Sequence, residues 1–255
     1  MSFVAVIMAF MTELSYMTRE DWGQNGTAMK PQSALIRKWL GRPPILLAVT
    51  DVKKFNANDR DADYEAAGFI DPSFDPRKTI NISDLPRLGR EGQRLDRAVV
   101  LLHPFDQSDL EALSTAVRSA AFSRMFVLVW SPRDNVRAWL DGLGAMNLHT
   151  GEALPQPDPL LLAAAESMIE EEYNGLSSGR GKDAVVQLVR ALSAEGYPVE
   201  VDAWLRAYFA AGGSFRHAES IAKLVGEIKA GKQHRVQKRY VDNIADVHRS
   251  RIASA

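Results

Sequence analysis

The chain has 255 residues, 46% of them apolar and 25% charged, and its 31 Lys plus Arg against 32 Asp plus Glu leave a formal net charge of −1. These proportions fit a globular protein and exclude collagen-like, coiled-coil and wholly disordered chains. Cysteine is absent, which excludes disulfides, a thiol nucleophile, Cys-ligated zinc and iron–sulfur clusters, and agrees with a reducing, cytoplasmic compartment.

Residues 1–17 read as an apolar N-terminal extension. The unbroken run Phe3 to Met11 falls short of the roughly 20 residues a bilayer span requires. It also lacks the basic flank of a signal peptide. Met8, Met11 and Met17 offer later starts. The extension reads either as a poorly ordered addition or as a segment packed on the domain or on a second subunit.

Residues 18–153 read as an α/β domain. Pro31 suits the first position of a helix over 31–40, with Leu35 and Trp39 on one face and Gly41 to end it. ILLAVT (45–50) is a continuous apolar run, the pattern of a buried parallel strand. ADYEAAGF within the polar stretch 51–78 suggests a short helix, and TINIS (79–83) alternates like a strand. AVVLL (98–102) is a strand, and Asp106 caps a helix over 107–121. MFVLVW (125–130) is the next strand. Ser131, Pro132 and Asp134 then supply an N-cap, a first-turn proline and a first-turn acid. MNLH (146–149) adds a short last strand. This alternation predicts an open, mostly parallel sheet of four or five strands, Rossmann-like or flavodoxin-like, with helices on its faces.

Residues 158–255 read as an all-helical domain beyond the linker LPQPDP. Asp158 caps a helix reaching about Tyr173, and NGLSSGRG (174–181) is a loop. Val185, Leu188, Val189 and Leu192 mark one face of a helix starting at Asp183. Val201, Trp204, Leu205, Tyr208 and Phe209 mark another, as do Ile221, Val225 and Ile228. The aromatic residues read as core. Val236, Tyr240, Ile244 and Val247 suggest a last helix.

The near-neutral charge conceals a strong asymmetry. Residues 151–175 carry six acids and no Lys or Arg, whereas residues 216–255 carry nine bases and four acids. A basic surface therefore exists inside a neutral protein, either free for a polyanion or covered by the acidic segment.

Three sets of residues carry chemistry. Ligands of open parallel sheets sit outside the carboxyl ends of the strands. Asp51, Asp84, His103 and Asp106 fall there. Carboxylates are hard oxygen ligands and histidine moves protons near neutral pH, so this set predicts a metal-dependent hydrolase or nucleotide enzyme. The second set is Gly179, Arg180, Gly181 and Lys182. Glycines admit a close ligand, the side chains supply charge, and a helix N-terminus follows, so a phosphate cradle is expected. It is no Walker A loop, since Leu176 stands where the first glycine belongs and Asp183 where Ser or Thr belongs. The third set is Lys229, Lys232, Arg235, Lys238 and Arg239, with Tyr240 beside them for stacking on a base, a nucleic-acid-binding pattern. The helices over 200–211 and 214–228 also permit a helix-turn-helix reading, with Arg216, His217, Ser220 and Lys223 facing the groove. NDRDAD (58–63) is not a calcium loop, because Tyr64 and Ile70 replace the required Gly and Glu.

No nucleophile elbow, HExxH, strand-linked GxGxxG or kinase motif is present. The sequence thus favours a protein binding a phosphate-bearing ligand or nucleic acid through residues 179–182 and 229–239. The strand-end enzyme is the alternative. A structural or homo-oligomeric interaction protein that uses the apolar N-terminus is the third reading.

Overall fold

A computed structural model describes residues 12–19, 29–41, 44–57, 62–89, 95–101, 106–120 and 122–254. The chain divides into two units: the first holds residues up to Leu140 together with Ala145–Ala153, the second holds Asp141–Gly144 and Leu154–Ala255.

The first unit is built on a mostly parallel open sheet. Its body is four strands: β1 (Glu13–Thr18), β2 (Ile45–Val49), β4 (Leu95–Leu101) and β5 (Phe122–Val129). Three two-residue strands extend its sides: β3 (Ile80–Asn81), β6 (Met146–Asn147) and β7 (Glu152–Ala153). The order is β3-β2-β4-β5-β1-β6-β7. Every pairing is parallel except β6 with β7. Apolar residues with β-propensity fill the interior strands because both faces are covered, and Met125 to Val129 are buried without a break.

Residues 13–17 are not part of an N-terminal extension. They form β1, hydrogen-bonded between β5 and β6 with Met17 opposite Leu128. The sequence ELSYMT hides this strand because its polar residues are buried too: Ser15 is 0% and Thr18 5% exposed. The apolar run at residues 3–11 lies outside the described residues.

The helices of this unit are α1 (Met29–Leu40), α2 (Val52–Ala57), α3 (Ala62–Ile70), α4 (Leu85–Gly89), α5 (Gln107–Arg118) and α6 (Asn135–Gly142), the last running into the second unit. Connections β1→β2 and β2→β3 run toward the β3 edge, and the next three run the other way. Right-handed crossovers therefore send α1 and α3 to one face and α4 and α5 to the other. The packing agrees. Ile36 and Leu40 of α1 and Ala66, Ala67 and Ile70 of α3 close over Met17, Leu47, Val49, Phe126 and Leu128, while α4 packs on α5. TINIS yields only Ile80–Asn81 as strand, followed by a 3-10 turn at Ile82–Asp84. The helix expected right after Ser131 starts at Asn135, because residues 131–134 form a turn of their own closed by Asp134 Oδ2 accepting from the Ser131 N–H at 3.0 Å.

The second unit is helical: α7 (Pro159–Ile169), α8 (Gly179–Ala194), α9 (Val201–Ala210), α10 (Phe215–Lys229) and α11 (Ile244–Ala253). The acidic helix ends at Ile169, and a 3-10 turn at Glu172–Asn174 follows. Trp204, Tyr208, Phe209, Leu188, Val189 and Ile221 are buried. The aromatic stripe is core, as its spacing indicates.

Two sequence boundaries change here. Gly179–Lys182, expected in a loop, are the first residues of α8. The last helix begins at Ile244 and not near Val236, so residues 232–239 are extended. Five like charges within 229–239 oppose a helix there, and α8 binds this backbone instead.

Candidate functional site

Between β2 and β4 the chain direction across the sheet reverses, the place where open α/β sheets form their crevice. Asp51 follows β2, but its Oδ1 accepts the N–H groups of Lys53 at 2.9 Å and Lys54 at 3.1 Å. These bonds, that to Lys54 foremost, hold its carboxyl below the ordinary aspartate range. Asp106 caps α5 in a reciprocal box with Asp109. Its carboxyl is also held low, chiefly by the Ser108 hydroxyl at 2.6 Å. Asp84 lies 3.6 Å from Arg87. His103 lies outside the described residues. Each described carboxylate of the set thus serves a helix end or a local ion pair. Among the described residues no three His, Cys, Asp or Glu side chains group to hold a metal ion.

One cluster at this edge escaped the sequence reading. The Arg19 guanidinium, just past β1, sits 4.5 Å from the ring centre of Trp130, just past β5, and pairs with Asp63 of α3. The three residues are far apart in sequence, and only the β1–β5 pairing brings two of them together.

In the helical unit, the glycine-rich stretch and the basic tail meet. Lys182 of α8, Lys223 of α10, and Lys232 and Arg235 of the extended segment line one cleft of ≈ 360 Å³, with Ser177 and Ser220 on its walls. The segment reaches this place because α8 holds its backbone. Gln187 Nε2 donates to the Gln237 carbonyl at 2.5 Å, its Oε1 accepts the Arg239 N–H at 2.9 Å, and Arg190 donates to the His234 carbonyl at 3.2 Å. The start of α8 is shaped by its glycines. Gly179 adopts φ +54, open to glycine at little cost. A Cβ at Gly181 would lie 2.1 Å from the Gly175 carbonyl oxygen. Ser178 makes no side-chain cap bond, so the first N–H groups of α8 keep no side-chain acceptor from the N-cap.

The charges of this cleft are uneven. Glu227 accepts from Lys232 at 2.7 Å and lies 3.4 Å from His234 Nε2. The Lys232 bond is the foremost reason its carboxyl is held low. Lys182, Lys223 and Arg235 have no ion-pair partner among the described residues. The His234 side chain is 5% exposed, and its Nε2 makes no hydrogen bond. Burial pushes its pKa down, and Lys182, Lys232 and Arg190 add to the effect while Glu227 opposes it.

The rest of the basic tail is largely neutralised. Lys229 pairs with Glu200 at 2.6 Å, Lys238 with Asp242 at 2.8 Å, and Arg239 with Glu171. The acidic segment 151–175 therefore covers Arg239, and its Glu171 also attracts Arg180. Tyr240 is not a stacking platform: its hydroxyl donates to the Ser167 carbonyl at 3.3 Å, and burial raises its pKa to about 12. The helix-turn-helix reading fails at His217, which is 9% exposed and faces the core. Gly213, in the turn, is fixed by the Tyr208 ring 2.3 Å from where its Cβ would be.

Ser177, Glu227, Gln187 and Arg190 were not among the site residues the sequence pointed to: Ser177 fell in an expected loop and Glu227 counted only as one of four acids in the basic tail. Comparison with protein-family models, with curated proteins and with solved structures finds no match for the chain.

Proposed function

We propose that the helical unit binds a phosphate-bearing ligand in the cleft between α8, α10 and the extended segment 232–239. The observation that carries this reading is the convergence of Lys182, Lys223 and Arg235, with Lys232, at one cleft from three separate elements, where Glu227 is the one carboxylate in the lining and is bonded to Lys232 while also attracting Lys223. Phosphate oxygens would replace the missing counter-charge, and charge-assisted hydrogen bonds are the strong ones. The α8 N-terminus, open at Ser178, adds favourable potential for an anion. Neutral His234 can give or accept one further hydrogen bond.

A small ligand is favoured over a long nucleic acid. Of the five tail bases expected to track a backbone, Lys229, Lys232, Lys238 and Arg239 already hold carboxylates. In support of a doubly wound, Rossmann-like sheet in the first unit stand its strand order and its two helix-covered faces. The phosphate reading makes no use of that sheet. A cytoplasmic location accords with the lack of cysteine.

Isothermal titration with inorganic phosphate and with a nucleoside monophosphate tests the proposal. Binding that weakens about tenfold in Lys182→Ala and in Arg235→Ala supports it. Affinity unchanged in both variants refutes it, and tighter, salt-dependent binding of single-stranded nucleic acid would restore the polyanion reading.

A further inference from the structure

Resting on the phosphate reading above, we infer that the ligand carries two phosphoryl groups, one seated in each of two clefts that share Arg235. The first cleft is the one already described. The second, of ≈ 410 Å³, is lined by Gly179, Arg180, Asp183, Arg235, Val236 and Gln237. Arg235 is the residue common to both linings. It is exposed, without an ion-pair partner among the described residues, and it lies on a backbone that Gln187 and Arg190 strap to α8.

A guanidinium between two concavities can donate from both edges of its fork, which an ammonium cannot do. Each cleft also brings a cation of its own. Lys182 and Lys223 stand at the first. Arg180 stands at the second, exposed, where with Arg235 it outweighs the buried Asp183. The first turn of α8 contributes to both linings, Lys182 to one and Gly179 and Arg180 to the other. The His234 imidazole beside the first cleft is more than nine-tenths buried, with its Nε2 3.4 Å from the Glu227 carboxylate.

The test compares inorganic phosphate, pyrophosphate and a hexose 1,6-bisphosphate by isothermal titration on the full chain at one ionic strength. Pyrophosphate or the bisphosphate should bind at least about tenfold tighter than phosphate. Which of the two gains more tells whether the phosphoryl groups are adjacent or separated. Arg180→Gln should erase that gain, because Arg180 lines the second cleft. Arg235→Ala should weaken all three ligands. Both residues are exposed, so neither variant should lose the fold, which circular dichroism checks. Arg118→Gln in the first unit controls for net charge. Equal affinity for one and two phosphoryl groups, or a gain that survives Arg180→Gln, overturns this inference and leaves the phosphate reading standing. No binding of any of the three overturns both.

Discussion

The two units treat their polar side chains in opposite ways. In the sheet unit, aspartates at strand ends are spent on helix starts: Asp51 accepts from the first N–H groups of α2, and Asp106 closes a capping box on α5. Among the described residues of the helical unit only Asp158 caps an α-helix with its side chain, while the N-caps of α8, α9, α10 and α11 (Ser178, Glu200, Ser214 and Asn243) make no such bond. The first pattern yields acidic residues without spare capacity. The second leaves a helix start without a side-chain cap and several cations without an ion pair among the described residues. A cluster of chemically able residues is thus a weaker sign of a site than a set whose demands are unmet.

The contrast between the units rests first on their separate cores. Phe126→Ala should destabilise the sheet unit by about 3–5 kcal/mol, because Phe126 is fully buried between β5 and the α1–α3 layer. Urea unfolding followed by amide exchange would check it, and equal loss of protection in α9 would show that the units do not unfold separately. Gly213→Ala should cost the helical unit about 1–3 kcal/mol, since the new methyl meets the Tyr208 ring. Tyr208 itself bonds Glu172 and Ser214 and cannot swing away freely. Thermal melting followed at α9 and α10 reads the result.

The caps give the sharpest pair. Asp106→Ala should cost about 1 kcal/mol, whereas Ser178→Ala should stay within about 0.5 kcal/mol, because Ser178 makes no cap bond. A comparable loss in both variants would erase the distinction drawn between the units.

Acid should also separate them. Burial lowers the pKa of His234 and His248 below the ordinary 6.5. Their folded forms resist protonation, so the unfolded chain takes up more protons as pH falls past 6.5. Their contribution to stability is therefore complete above 6.5 and is lost as pH drops toward the folded values. In the sheet unit, Asp51, Asp75 and Asp106 have pKa values below the ordinary 3.8. Their contribution is present above 3.8 and lost only under stronger acid. Amide exchange at pH 7 and pH 5.5, corrected for intrinsic rates, should show α8 and α11 weakening before β5. The reverse order would contradict this account.

Much of the local structure was legible in the residues. Asp106 and Asp158 mark helix starts, Pro31 misses one by two residues because α1 begins at Met29, and ILLAV shows a buried strand by its unbroken apolarity. β1 was hidden because Ser15 and Thr18 are polar yet buried, and burial is a property of the neighbours. The end of the chain misled for a related reason. Val236, Tyr240, Ile244 and Val247 keep helical spacing, but the bonds from Gln187 and Arg190 win the backbone of 232–239. The site was half legible. The two basic stretches carried a signal, while Glu227 as the internal partner of Lys232 and the buried state of His234 did not.

The net charge of −1, the missing cysteine and the alternation of apolar runs were settled by the sequence alone, because composition and periodicity depend on no contact. Which cations remain uncompensated was settled only by the fold. Glu171, Glu200, Glu227 and Asp242 each form an ion pair with one lysine or arginine of the tail, and Lys182, Lys223 and Arg235 form none among the described residues where α8, α10 and the extended segment converge. Charge is written residue by residue, but neutralisation acts over a few ångströms in space, and that distance belongs to the tertiary structure.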